Sequence, residues 1–467
     1  MKRAIVVGGS IAGMSAARAL SDFADEVVVV DRDEFPSESS HRAGAPQSRH
    51  AHALLDRGQQ ELEALFPGFI ARMNAAGAHT LDPGLDVAVH RKWGWQDVGT
   101  NDTRLLWASR NLLEFTVRGL LREHPRVKLL ERTRVLGLCA GPGPDRRVHG
   151  VRLHTEGRET QELFADLVVD ASGRHTRSDD WVTSLGLAPP RRDRVDAHLG
   201  YASRLYQAPA SRPSSWWWKC LWIEWEPPTL PRAGVIFPIE DGRWLVTLAG
   251  IGDERPPTDE RGFVAFMNTL STPALAEAVA LATPLSNVAG HGSMENVYRR
   301  YDTWTERLRG FLSLGDATCA FNPIYGQGMS VAAACAGLLR AHLAETSPEH
   351  PEFETRFFQR QAELVKAPWQ LATSADFVWP TTEGRKPRRS RPIVSNYVRL
   401  ALECAHRDAS LRRKIYPVFN LTGSRALFFR PRFVAGVLLA TARRRVRERL
   451  RKARPAPSTA TGVQVPN

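Results

Sequence analysis

An α/β fold is predicted for this chain of 467 residues, and three stretches predict it. The first is a strand–turn–helix–strand pattern at the N-terminus, running from Ala4 to Asp31. The second lies about two-thirds of the way along, where the apolar run Phe311 to Leu314 passes through a glycine-rich turn into the alanine-rich run Val331 to Leu339. The third is the middle of the chain, where short β-type runs set in from about Asp196. A parallel-sheet domain, a mixed β-sheet domain and a helical C-terminal region are the expected parts.

At the N-terminus, Ala4 to Val7 is a short buried-type strand, and Gly8-Gly9-Ser10-Ile11-Ala12-Gly13 leads into a helix with Met14, Ala17 and Leu20 inward. A β-branched strand, Val27 to Val30, ends in Asp31, 18 residues after Gly13. This is the Rossmann-like βαβ pattern for a dinucleotide. Its glycines allow the turn and a close approach, its helix amides meet a pyrophosphate, and its acid meets ribose hydroxyls. Ser10 replaces the middle glycine and is small enough to keep that approach open. Asp31 would repel a 2′-phosphate, which disfavours an NADP-type ligand in this unit. The loop from Arg42 to Leu54 carries Arg49, Gln47, His50 and His52, and a helix is expected to begin near Ala53. No further ligand cluster accompanies the two histidines, so a metal site is rejected and lining of the cofactor is expected.

Ser109 is placed to N-cap a helix carrying Leu112, Leu113, Phe115, Val117, Leu120 and Leu121. Arg110 reads either as a phosphate contact or as a solvated first-turn arginine. Short strands are expected at Val127 to Leu130, Arg134 to Leu138, Val151 to His154 and Phe164 to Val169, the last closing on Asp170-Ala171-Ser172-Gly173-Arg174. Ala233 to Pro238 and Trp244 to Ala249, joined through Asp241-Gly242, read as a β-hairpin. The tryptophans from Trp216 to Trp225 suit a sheet face on the core or the wall of an apolar pocket. In the late turn, the bare amides of Phe321-Asn322-Pro323-Ile324-Tyr325-Gly326-Gln327-Gly328-Met329-Ser330 favour anionic or electron-rich ligand atoms. Asp316, in Gly315-Asp316-Ala317, suits a hydroxyl-rich ligand, because an ionised carboxylate only accepts hydrogen bonds.

A hydrophobic content of 43% supports a large core, and this length calls for two or three lobes. Cys139, Cys220, Cys319, Cys335 and Cys404 are scattered without a CxxC pair, which argues for a reducing, cytoplasmic setting and against a disulfide frame. No secretory signal is apparent, and the apolar run Phe433 to Ala442 is too short to span a bilayer. The net charge of +13 is concentrated at one end: Arg385 to Arg454 hold 21 Lys/Arg against Glu403, Asp408 and Glu448, leaving −5 on the rest. A nucleic-acid-binding body is therefore not expected.

With these pieces placed, the chain resembles the FAD-dependent monooxygenases of the para-hydroxybenzoate hydroxylase type. The N-terminal GGSIAG with Asp31 matches that family's dinucleotide motif, and Asp166 to Gly173 looks like its second motif in the spelling Asp-Ala-Ser-Gly. Gly315-Asp316-Ala317 is similar to its third. Within the family the chain resembles bacterial polyether-pathway epoxidases, which are similar in turn to squalene epoxidases. The supporting segments are Arg42-x-Gly44-x-Pro46-Gln47-x-Arg49-His50-x-His52, Trp93-Gly94-Trp95-Gln96, Pro238 to Trp244, Asn322 to Ser330 and Ala372-Thr373-Ser374-Ala375-Asp376.

The resemblance implies a discontinuous Rossmann-like FAD-binding domain (1–70, 101–190 and 295–345), a mixed β-sheet substrate domain (71–100 and 191–294), a helical C-terminal region (346–454) and a disordered tail (455–467). It implies that Gly8, Gly9, Ser10, Ala12 and Gly13 meet the pyrophosphate, Asp31 the adenosine ribose, Arg110 the flavin side, and Asp316 the ribityl chain or pyrophosphate. Arg32, Arg42, Val135, Gly315, Pro323, Gly326, Gln327, Gly328 and Met329 complete the implied cofactor contacts, the last four near the N1–C2=O edge of the ring. The implied reaction inserts one oxygen atom from O2, through a flavin C4a-hydroperoxide, into an alkene of a lipophilic polyketide or terpenoid of secondary metabolism. Tyr325 and His52 are the candidates for tuning it. Electrons would come from NAD(P)H or a separate reductase, and the substrate would be free or bound to a carrier protein.

Aromatic hydroxylation, halogenation and alkene reduction are the enzymatic alternatives. Trp222-Ile223-Glu224-Trp225-Glu226-Pro227 only echoes the halogenase motif, and no lysine lies between Arg3 and His90. In a non-enzymatic alternative, the segment Phe433 to Leu439 followed by Arg443-Arg444-Arg445-Val446-Arg447 would bind a membrane surface or polyanion. A helix packed on the body with a solvated basic end is the plainer reading of the same residues.

Overall fold

The structure is a computed structural model, and it describes residues 1–142, 146–292, 294–386 and 392–453. The expected tail at 455–467 lies outside the described residues. The fold is mixed α/β, built on a five-stranded parallel sheet in the order Phe311–Ser313, Leu167–Asp170, Arg3–Val7, Glu26–Val30 and Val127–Leu130. Val27 to Val30 are all buried, as a strand covered on both faces requires. The carboxyl ends of four of these strands deliver Gly8, Asp31, Ala171 and the Gly315 turn to one edge, where open α/β sheets bind ligands.

Two helices lie close over that sheet. Ile11–Leu20 packs against Gly328–Glu345, whose alanines allow a tight approach along a face that is largely buried. An antiparallel meander, Thr133–Ala140, Arg146–Thr155 and Gln161–Phe164, follows the fifth strand. The single strand expected from Phe164 to Val169 is in fact two, with Phe164 ending the meander and Leu167 opening a parallel strand. Asp166 makes the break: its carboxylate accepts the backbone N–H of Lys2 at 2.6 Å and of Arg3 at 3.1 Å.

The second lobe is an eight-stranded, mainly antiparallel sheet with one parallel pair, Cys220–Ile223 on Val87–Arg91. Its longest hairpin joins Arg232–Ile239 to Arg243–Gly250. Asp241 (φ 62°) and Gly242 (φ 64°) are both left-handed, and Arg243 N donates to Glu240 O at 3.3 Å. That is the type I′ geometry matched to strand twist. Of the tryptophan run, Trp218 is buried and stacks on Trp216 at 5.0 Å with Trp244 beside them, while Trp217 is 46% exposed. Trp225 meets Trp379 edge-on at 5.9 Å.

The helix expected near Ala53 begins instead at Asp56. Residues 50–55 are held out of it by tertiary bonds at both ends. Ala51 N donates to Thr247 Oγ1 at 3.2 Å in the second lobe, and Leu55 N donates to Ser330 Oγ at 3.0 Å in the first. The C-terminal region consists of Phe353–Asp376, which contributes Phe353, Phe357, Val365 and Ala372 to the main core, and three further helices with a small core of their own. These three, Pro392–Arg407, Ala409–Phe419 and Pro431–Ala453, are tied to the sheet lobe. His406 Nε2 meets Gly94 O at 2.9 Å, and Arg412 Nε donates to Asn101 Oδ1 at 3.1 Å. Among the described residues no helix is long and apolar enough to cross a membrane.

Candidate active site

The N-terminal turn is fixed by sterics. Gly8 adopts φ +102°, and a Cβ there would lie 2.6 Å from Ala171 O. A Cβ on Gly13 would lie 1.7 Å from Gly8 O. Ser10 precedes the helix without capping it, so the first-turn amides are left for a ligand. Its hydroxyl donates instead to Glu114 Oε1 at 2.6 Å, and Arg110 Nη2 donates to Ser10 Oγ at 2.9 Å. Glu114 is buried. Burial raises its carboxyl, and the guanidiniums of Arg110 (2.9 Å) and Arg42 (3.3 Å) outweigh that, leaving it below the ordinary range. Arg42 also reaches Asp33 at 2.7 Å. Asp31 accepts Gly9 N at 2.6 Å and Asp33 N at 2.9 Å, and burial holds its carboxyl above the usual value.

The first and third motifs meet directly, since a Cβ on Gly315 would lie 2.8 Å from the Ala12 Cβ. The Asp316 carboxyl is raised by burial, opposed by the guanidiniums of Arg174 and Arg110, and makes no hydrogen bond among the described residues. Asp170 is spent internally, accepting Ser172 N at 3.0 Å and Thr176 Oγ1 at 2.5 Å, so the second motif holds its own turn. Beyond Gly315, Pro323–Tyr325 forms a 3-10 turn capped by Asn322, whose Oδ1 accepts Ile324 N at 3.2 Å. Gly326 turns at φ +63°, and Gln327 Oε1 is buried without a partner among the described residues. The helix starts at Gly328, and Met329 is buried.

The sheet lobe faces this loop. His50 Nδ1 lies 2.8 Å from Ser203 Oγ, which lies 2.7 Å from Thr247 Oγ1. The His50 ring sits 5.9 Å from Tyr201 and 5.5 Å from His291. Burial, with His291 and Arg49 adding, pushes the His50 imidazole down to about 4. Ile324 packs against a cluster containing Tyr201, Ile251 and Trp379. Arg174 Nη2 donates to Phe321 O at 2.7 Å, and its Nη1 donates to Glu295 O.

Of the residues expected from sequence, Gly8, Gly9, Ser10, Gly13, Asp31, Arg42 and Arg110 come together in one cradle. Ala12, Gly315 and Asp316 adjoin it, and Pro323, Gly326, Gln327, Gly328 and Met329 form the loop beyond. Val135 is buried on a strand whose Thr133 N donates to Asp31 O at 2.9 Å. Arg32 is exposed and takes no part in the described hydrogen bonds. His52 Nε2 lies 2.7 Å from Gln47 O, an acceptor, so Nε2 carries the proton and Nδ1 is left to accept. Burial, then Arg110, pushes the His52 imidazole down to about 3, which favours the neutral ring. Tyr325 hydrogen-bonds to Asp376 at 2.7 Å. Sequence reasoning places His50 in a loop lining the cofactor and Asp376 within a motif, and assigns no role to Glu114, Arg174, Tyr201 or His291. Glu114 was within reach, four residues from Arg110 on one helix face. The others are joined only by the tertiary fold.

The parallel sheet, its anion cradle and the facing sheet lobe define a two-lobed dinucleotide-binding protein of flavoprotein architecture. Residues 2–351 match the FAD binding domain family, and the chain belongs to that family. It is 33% identical over 436 residues to Protein Rv3254 of Mycobacterium tuberculosis (strain ATCC 25618 / H37Rv), covering 90% of each chain. Among solved structures it is similar to the flavin-dependent brominase Bmp2, with a TM-score of 0.61, 14% identity, 96% of this chain and 99% of the other covered. It is also similar to pqsL, a probable FAD-dependent monooxygenase from Pseudomonas aeruginosa, with a TM-score of 0.58, 18% identity, 81% of this chain and 97% of the other covered. At these identities the two structures show the shared fold. The residues present fit FAD: uncapped amides and two arginines suit a pyrophosphate, Asp31 a ribose, and the unpartnered Gln327 Oε1 and Asp316 a polyhydroxyl chain or a ring N–H.

Proposed function

We propose that the protein is a single-component FAD-dependent monooxygenase that epoxidises an alkene of a lipophilic polyketide or terpenoid intermediate of secondary metabolism. The observation that carries this reading is the packing of Ile324, in the Asn322–Gly328 loop, on an apolar cluster that joins Tyr201 and Ala249 of the sheet lobe to Trp379, just after the helix Phe353–Asp376. FAD, when bound, would supply the oxygen chemistry: O2, two electrons and two protons give one oxygen atom to the alkene and one molecule of water. The electrons come from NAD(P)H docking transiently or from a separate reductase.

Arg110, Arg42 and the Ile11–Gly13 amides would hold the pyrophosphate, and Asp31 the ribose. Amides from Gly326 to Met329 would favour negative charge on the ring edge. The Trp225–Trp379 pair and Ile324 would shield the space beside Tyr201 from water. His52 offers an acceptor nitrogen and Tyr325 a hydroxyl. Halogenation is disfavoured because Trp222 to Pro227 only echoes the halogenase motif and no lysine lies between Arg3 and His90. The test reconstitutes the protein with FAD, reduces it anaerobically with NADPH, NADH or a flavin reductase, and adds ¹⁸O2 with a lipophilic polyene. One ¹⁸O atom in the product supports the proposal. Reduced flavin that is inert to O2 while the alkene becomes saturated would replace it with alkene reduction, and a halide-dependent product with halogenation.

A peripheral contact with an anionic membrane is a second partner reading, supported by the last helix. Phe433 and Val437 face the small core, whereas Leu438 (58%) and Leu439 (53%) are exposed, with Arg432 and Arg443 also exposed on this helix. Flotation with phosphatidylserine vesicles should be lost in Leu438→Asp/Leu439→Asp. Equal flotation of the variant, or no flotation of the parent, rejects the contact and leaves carrier-protein docking to be tested by pull-down.

A further inference from the structure

Asp376 is the last residue of the helix Phe353–Asp376 and has no exposed surface (0%). Its carboxylate takes three side-chain donors: Tyr325 Oη at 2.7 Å and Asn322 Nδ2 at 3.0 Å on Oδ1, and Asn296 Nδ2 at 2.5 Å on Oδ2. No cation pairs with it among the described residues. A buried carboxylate without a cation, at the negative end of a helix, is a costly arrangement. An asparagine could not bridge the same loops, because its NH2 would face the NH2 of Asn296 or of Asn322, so the position needs a carboxyl, and a carboxyl can change its protonation.

The donors are not equivalent. Asn296 Oδ1 accepts Asn322 N at 2.8 Å, and Asn322 Oδ1 accepts Ile324 N at 3.2 Å. Both amide oxygens are therefore committed, and both NH2 groups must face Asp376 whatever its charge. The Tyr325 hydroxyl alone can reverse. Asp196 and Tyr201 are the other titratable groups facing the carboxyl, and the cation near Tyr201, Arg174, spends its N–H groups on Glu295 O and Phe321 O. Burial, with Asp196 adding, holds the Asp376 carboxyl up at about 6 against its three donors.

We propose that Asp376 is a positioning residue that sets the polarity of the Tyr325 hydroxyl. With Asp376 ionised, Tyr325 donates to Oδ1 and offers a lone pair to the site. When one proton from solvent is taken up on Oδ1, Asp376 donates to the phenol oxygen, and the Tyr325 O–H turns outward as a donor. No electron moves. The pair thus gives the site either an acceptor or a proton donor at one point of the loop that follows Asp316. It rests on the flavin reading only for the identity of the ligand that Tyr325 meets.

The experiment is infrared difference spectroscopy of the full chain across a pH titration, with and without FAD. A protonated-carboxyl C=O band should grow in as pH falls through about 6, vanish in Asp376→Asn and move to higher frequency in Tyr325→Phe, where its acceptor is gone. Asp376→Asn and Tyr325→Phe should each abolish a matching pH-dependent shift of the flavin absorbance. A band absent from the parent, or unmoved in Tyr325→Phe, overturns the proposal. If Asp376→Asn does not fold, Tyr325→Phe decides alone, because it keeps the ring. A parent that takes up no FAD yet still titrates the band would reject the flavin reading and leave the pair standing.

Discussion

Replacing Gly13 by alanine adds one methyl group at the tightest point of the N-terminal turn. That carbon would lie 1.7 Å from Gly8 O, whereas real Cβ contacts need 3.0 Å, so the backbone must part by at least 1.3 Å. Neither side can yield cheaply. Gly8 is itself pressed on Ala171 O, and the helix after Gly13 packs on Gly328–Glu345. A displacement of that size would move the first-turn amides off a bound pyrophosphate, and losing two hydrogen bonds to a charged group at about 1.4 kcal/mol each costs about 100-fold. FAD affinity should therefore fall by about 100-fold, or ~2.7 kcal/mol, read by quenching of flavin fluorescence on titration. The control is Gly119→Ala, in the helix Arg110–Arg122, where a Cβ meets nothing within 4 Å. It should leave FAD affinity unchanged and stabilise the chain by about 1 kcal/mol. A Gly13→Ala protein that binds FAD within threefold of the parent would refute the steric argument.

Ser109→Ala removes the cap on Leu112 N (3.1 Å) and a donor to the buried Glu240 carboxylate (2.6 Å), so the urea midpoint should drop by about 1–2 kcal/mol equivalent. Trp218→Ala should cost about 3–5 kcal/mol and Trp217→Ala less than about 0.5, a contrast that equal losses in thermal unfolding would contradict. His50 and His52 have folded-state values pushed down to about 4 and about 3, so below 6.5 the unfolded chain binds protons that the folded one does not. Stability should then fall with pH from 6.5 toward 4, by about 1.4 kcal/mol per pH unit for each. The His50→Gln/His52→Gln variant should show a flatter acid limb, and an unchanged limb would show that these rings titrate normally.

The glycine cradle and the Gly315 turn were legible in the sequence because their requirements are local: positive φ, absent Cβ atoms and strand valines act within a few residues. The hairpin at Asp241-Gly242 was legible for the same reason. The start of the second helix was misplaced because Ala53 and Leu54 are kept out of it by bonds to Thr247 and Ser330, far away in the chain. Asp166 likewise cut a continuous apolar run through a clamp on Lys2 and Arg3. Asp376 was visible as part of a motif, but its role depends on Asn296 and Tyr325, 80 and 51 residues away. Pairings at that separation leave no periodic trace.

The strip from His50 to Leu55 is pinned to the sheet at one end and to the helix Gly328–Glu345 at the other. It acts as a calliper. The gap between the two lobes along this edge is set by how many residues lie between the pins, with side-chain bulk only trimming it. Each extended residue spans about 3.3 Å, so inserting or deleting one would reset the clearance in a single large step. Evolution or design could thus switch the girth of molecule accepted by changing chain length here, without rebuilding either lobe.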